Sequence, residues 1–261
     1  MKVLFKGNSH TNYNDMPQIF ADMCKERGKD VEVGMQAHPG VTYGWHFGQH
    51  TELRFALIHG NFDYVVMQQA AHSPCPAKEE TLTDGKKIIE LARANGVTPI
   101  QTMPWAEKRD PDHQKGMYDI YNTLSEETGI KLTVAGNVFE EVFYNYPDID
   151  LYWKDGEHAS PYGSYVIAMA AYAAIFGESV KGLAPESYET FPVSDETWAE
   201  ITAKRAELAK DPGNRELAAE TRAFYKRRVK SVDNKADAKV VLDAEKAAKL
   251  QELVDKFEFG K

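Results

Sequence analysis

Ser9, Asp155 and His158 are the residues whose types could together run acyl-transfer chemistry. A serine hydroxyl is a poor nucleophile at neutral pH until a base within hydrogen-bond reach takes its proton. His158 is such a base. Asp155 precedes it by three residues in Asp155-Gly156-Glu157-His158 and can accept from its Nδ1–H, fixing the tautomer whose Nε2 faces a serine. Either feature alone is weak, since a surface loop yields Asp-x-x-His by chance and a serine after a turn is often only a helix cap. A tetrahedral intermediate also needs hydrogen-bond donors for its oxyanion. The Ser9 and Gly40 N–H groups qualify, as does a side chain from Gln68-Gln69-Ala70-Ala71-His72-Ser73. His10, beside the serine, either lines the pocket or caps the turn.

The elements around these residues follow from hydrophobic period. Val3-Leu4-Phe5 is a short apolar run ending at Gly7-Asn8, and reads as a buried strand delivering Ser9 at its carboxyl end. A helical pattern opens near Asn14 or Asp15, with Pro17 in its first turn, and closes at Gly28. Val31–Val33, Asp63–Gln68, Thr98–Met103 and Lys131–Ala135 are further strands. Helices are expected at 49–59, 78–94, 112–128 and Tyr162–Phe176, with a helical turn at Val138–Tyr144. Strands alternating with helices predict a parallel five-stranded sheet in a three-layer α/β/α arrangement, with the strand-end loops on one edge. From 184 onward a connector leads into a chain rich in Ala, Lys, Glu and Leu, broken at Asp211-Pro212-Gly213-Asn214. The reading is a hydrolase-type domain over 1–183 and a helical extension over 184–261. That extension packs on the main domain or, alternatively, serves as a homodimerisation arm.

Composition excludes several function classes. With 261 residues, 43% hydrophobic and 27% charged, the chain is a globular protein. A net charge of −9 argues against a nucleic-acid surface. Two cysteines, Cys24 and Cys75, imply no disulfide framework. His38, His46, His50, His72 and His158 have no regular zinc-ligand spacing, and no metal is expected. No apolar run nears the roughly 18 residues of a membrane span, nor does the start resemble a signal peptide, so a cytoplasmic protein is expected.

The order of these features resembles the SGNH (GDSL-like) hydrolase superfamily over residues 1–177. The first block of that superfamily is similar to Gly7-Asn8-Ser9-His10-Thr11, and its last block to Asp155-Gly156-Glu157-His158. Its glycine block is similar to Pro39-Gly40-Val41-Thr42, with Gly44 as the alternative. The resemblance implies a flavodoxin-like fold, Ser9 as nucleophile, His158 as base, Asp155 as its orienter, and no cofactor. One block departs: where relatives carry Gly-x-Asn-Asp after the third strand, this chain has Gln68–Ser73 without asparagine. Strand-end register puts His72 near the missing asparagine, while Gln69 could reach inward instead. A divergent branch is implied, acting on a small acyl ester, with acetyl on a carbohydrate the favoured substrate. A catalytically impaired binding protein and an acyltransferase are the alternatives.

Overall fold

A computed structural model describes residues 1–49, 51–70, 77–232 and 235–260. Its elements in chain order begin with β1 (Lys2–Gly7), α1 (Ser9–Asn12), α2 (Met16–Glu26), β2 (Glu32–Ala37), α3 (Glu52–His59) and β3 (Tyr64–Met67). There follow α4 (Lys78–Ala94), β4 (Thr98–Gln101), α5 (Gln114–Thr128), β5 (Lys131–Leu132), α6 (Ala135–Asn145) and α7 (Pro161–Phe176). Past the last of these come β6 (Glu186–Tyr188), α8 (Asp195–Lys210), α9 (Arg215–Arg228), α10 (Lys235–Ala238), β7 (Lys239–Val241) and α11 (Ala244–Phe259).

The five main strands pair in parallel in the order β2-β1-β3-β4-β5. Alternation along β1 sends its side chains to both faces. Leu4 joins Val65 and Met67 in a core with Leu53, Leu57, Ile88, Ile89 and Leu124, supplied by α3, α4 and α5. Phe5 points the other way and meets Phe20 of α2 edge-on at 5.1 Å. Fully burying such a side chain contributes about 1.5–3 kcal/mol, so a strand buried on both faces anchors whatever follows it. The strand order reverses between β1 and β3, and ligands in open α/β sheets bind at that switch point, outside the carboxyl ends. Ser9 follows β1 there, and Gln68 follows β3.

α7 is buried on all sides from Gly163 to Ala174. Ser160 caps it by accepting from Gly163 N at 3.2 Å, Pro161 opens it, and Gly177 closes it at φ 66°. The fold is the expected three-layer α/β/α, with local differences; the fifth strand, for one, ends at Leu132 rather than Ala135, which opens α6. β2 runs to Ala37 rather than ending at Val33, because as an edge strand it needs no apolar run to stay paired with β1. The expected turn at Val138–Tyr144 is a full helix, α6, which buries Val138, Phe139 and Val142. The connector after 184 contains β6. The composition boundary at 184 is also not the compactness boundary, which groups Val240–Lys261 with Met1–Tyr188 and sets apart Glu189–Lys239.

α11 therefore belongs with the sheet. Gln251 Nε2 donates to Tyr165 Oη and Leu183 O at 2.8 Å each, and Asp255 Oδ1 accepts from Val180 N at 3.0 Å. The second unit holds α8 and α9, capped by Ser194 and Asn214. Within it Arg205 lies 5.2 Å from the rings of both Trp198 and Tyr225.

Candidate active site

Asn8 shapes the turn that carries Ser9. It is the N-cap of α1, its Oδ1 accepting from His10 N at 3.0 Å, so the serine opens a one-turn helix just past the sheet edge. Gln68 fixes the same turn from β3: its Oε1 accepts from Asn8 N and from Thr11 Oγ1, both at 3.1 Å. Gly7 is required for this, because a Cβ there would collide with Thr11 Oγ1 and Gln68 Oε1.

His158 comes from the loop between α6 and α7. Trp153 N donates to His158 O at 2.7 Å and Ser160 N to Leu151 O at 2.9 Å, closing a narrow hairpin around Gly156 at φ 74°. Asp155 organises its tip: Oδ1 accepts from Glu157 N and His158 N at 2.9 and 3.0 Å, and Oδ2 from His158 Nδ1 at 2.7 Å. The far nitrogen, His158 Nε2, lies 2.8 Å from Ser9 Oγ. Burial alone would raise the Asp155 carboxyl, but the His158 imidazole and the two backbone N–H groups outweigh it and hold it below its ordinary value. An ionised Asp155 and a 149-residue separation closed to one hydrogen bond make a Ser-His-Asp relay geometry.

The surrounding rings fix the imidazole. Tyr13 stacks on His158 with centroids 4.1 Å apart, and His10 meets it edge-on at 5.2 Å. His10 in turn stacks on Trp105, whose Nε1 donates to Glu157 O at 2.9 Å.

The other expected donors sit in different ways. Gly40 is exposed in a left-handed conformation, φ 69°, in a loop tied to the serine turn. The ties are Asn8 Nδ2 to Val41 O at 3.2 Å and His46 Nε2 to Gly7 O at 2.9 Å. Gly44 lies against α4 instead, where a Cβ would approach Asp84 Oδ2. Gln68 and Gln69, expected as oxyanion donors, are turned to structural bonds. Gln68 Nε2 donates to Gln69 O, and Gln69 Oε1 accepts from Tyr43 N at 2.8 Å and Ala70 N at 3.1 Å. The Gln69 NH2 group donates to Thr81 Oγ1 at 3.5 Å. His72 lies outside the described residues.

Sequence reasoning missed Asn14. Asn14 and Asp15 both hold positive φ, 55° and 48°, a conformation that Asn and Asp tolerate better than most residues. This kink aims the buried Asn14 Nδ2 at Ala159 O, 2.9 Å away, and at Ser164 Oγ, 3.0 Å away, joining the serine segment to the residue after His158. The adjacent Asn-Asp pair was the available signal. Asn14→Asp keeps the tolerated backbone but loses the donor, and is expected to lower kcat about 10- to 100-fold through misalignment. Activity assay and circular dichroism on the same preparation check this.

No family model and no curated protein matches the chain. Solved structures do. A protein assigned to the SGNH hydrolases, from Slackia heliotrinireducens, is 25% identical with a TM-score of 0.59, covering 67% of this chain and 98% of that one. A variant of Axe2, an acetyl-xylooligosaccharide esterase from Geobacillus, is 15% identical at TM-score 0.58, covering 69% of this chain and 96% of its own. A DUF4886-family protein from Bacteroides uniformis covers 81% of this chain and 96% of its own at 19% identity and TM-score 0.57. No helix among the described residues is long and apolar enough to cross a membrane.

Proposed function

We propose, from the premise that this chain is a divergent member of the SGNH-like hydrolase superfamily, that it is a serine esterase acting on small acyl esters. The observation that carries the reading is the aligned pair of bonds Ser9 Oγ–His158 Nε2 and His158 Nδ1–Asp155 Oδ2, at 2.8 and 2.7 Å. Ser9 Oγ attacks the acyl carbonyl as His158 Nε2 takes its proton, and Asp155 stabilises the imidazolium. His158 returns that proton to the leaving alcohol. Water, deprotonated by the same nitrogen, then releases the acid from Ser9. The Ser9 and Gly40 N–H groups hold the oxyanion; each donor supplies up to about 3–4 kcal/mol of barrier. A fluorophosphonate tests the reading: it should label Ser9 stoichiometrically, and a folded chain left unlabelled there overturns it.

Acetylated carbohydrate is the substrate class we propose. An open cleft of about 510 Å³ runs from Gly40 and Val41 past Trp45 to Glu80, offering an aromatic face and a carboxylate to sugar hydroxyls. The acetyl-xylooligosaccharide activity named for one structural neighbour agrees with this class. Trp45→Ala should raise KM for an acetylated xylo-oligosaccharide about fivefold while leaving KM for p-nitrophenyl acetate within twofold, the loss of one stacking contact being worth about 1 kcal/mol. Parallel Michaelis–Menten curves on the two substrates measure the split.

A further inference from the structure

We propose that His10, Glu157 and His158 form a zinc site that takes the His158 imidazole away from Ser9. One ligand atom from each residue lies within 4.8 Å of the other two. His10 Nε2 and Glu157 Oε1 stand 3.5 Å apart, close to the ~3.3 Å edge of a tetrahedron whose ligands lie about 2.0–2.1 Å from zinc. His158 offers Nε2, since Nδ1 is held by Asp155 Oδ2 at 2.7 Å. That arrangement is also what a zinc histidine ordinarily has, its second ring nitrogen donating to a carboxylate that orients it and raises its basicity. The His10 side chain is 1% exposed and Glu157 23%, so the approach is from the Glu157 side. Stacking on Trp105 and the bond from Trp105 Nε1 to Glu157 O hold both ligands in place.

The consequence is competition for one lone pair. In the resting site His158 Nε2 accepts from Ser9 Oγ–H, and with zinc bound the same lone pair is donated to the metal. The serine keeps its proton and stays unactivated. Zinc at this site is thus an inhibitor, and its removal restores the relay without any covalent step. The inhibitory arm rests on the esterase reading; the binding arm does not.

Titration of zinc against a chromophoric chelator tests binding directly. Wild type and Ser9→Ala are expected to take one zinc per chain, whereas His10→Ala and Glu157→Gln should each bind about tenfold or more weakly. Circular dichroism and thermal melts monitor the fold, and Glu157→Gln, with its part-exposed head, decides the matter if His10→Ala does not fold. Zinc should also inhibit wild-type ester hydrolysis at the same midpoint, with reversal by a chelator. No stoichiometric binding, or binding equally tight in both ligand variants, overturns the site. Binding lost in the variants without any wild-type esterase activity leaves the zinc site standing and removes the esterase reading.

Discussion

Ser9→Ala is expected to lower kcat for p-nitrophenyl acetate by about 1,000-fold or more while leaving the melting temperature unchanged. The hydroxyl's hydrogen bond goes to His158, and the turn itself is held by Asn8, Gln68 and Thr11. Removing Oγ therefore deletes the nucleophile and little else. Asp155→Asn separates orientation from charge at the same site. Its amide oxygen would remain on the Glu157 and His158 N–H groups, now bonded to Oδ1, leaving the amide NH2 facing His158 Nδ1. That nitrogen would then have to accept, placing the ring proton on Nε2 against Ser9, where it cannot receive one. The expected loss is about 100- to 10,000-fold in kcat. Equal rates in wild type and Ser9→Ala would remove the serine mechanism altogether.

How far the site was legible depends on the range of the forces that build it. Val3–Phe5 and Asp63–Gln68 read as strands because burial on both faces demands a near-continuous apolar run, and Gly7-Asn8 reads as a turn from two residues. Those signals are local. Ser9, Asp155 and His158 could be nominated because the relay has a fixed order of chemical roles, though their convergence depends on a parallel sheet bringing β1 beside the loop that precedes α7. The bonds of Gln68 were not legible, for the opposite reason. An amide at a strand end has the same composition whether it faces a pocket or a neighbouring backbone. Asn8 N and Thr11 Oγ1 settle its role only once β1 and β3 are in register. Asn14 escaped because a kink before a helix looks like the helix's own start. The last helix, α11, looks in composition like α8 and α9 before it. Its place beside α7 is set by Gln251 and Asp255, two polar residues whose partners lie about 70 residues or more away.

Lys6→Met is expected to stabilise the protein. Lys6 lies on β1 on the side of Leu4, fully buried, and its Nζ has no hydrogen-bond partner among the described residues. Among the described residues its compensation is the face of Tyr43, 4.0 Å from the ammonium, a contact worth about 2 kcal/mol when desolvated. Burying an ammonium without a counter-charge costs several kcal/mol even after relaxation, so desolvation wins and holds the Lys6 pKa well below that of an ordinary lysine. The sign follows by linkage. Between the folded pKa and about 10.4 the unfolded chain binds a proton that the folded chain does not, so stability rises with pH across that window. The penalty is absent above the unfolded value and grows as pH falls through the window. Methionine fills a similar volume without the amine and removes it. At pH 7 the variant should gain about 1–3 kcal/mol, and each kcal/mol should raise the melting temperature by about 2–4 °C. At pH 10 the difference from wild type should shrink, a trend that thermal melts at the two pH values measure directly. A variant less stable at both would mean that the Tyr43 contact outweighs desolvation. Lys6 would then be a buried charge that the strand before Ser9 depends on.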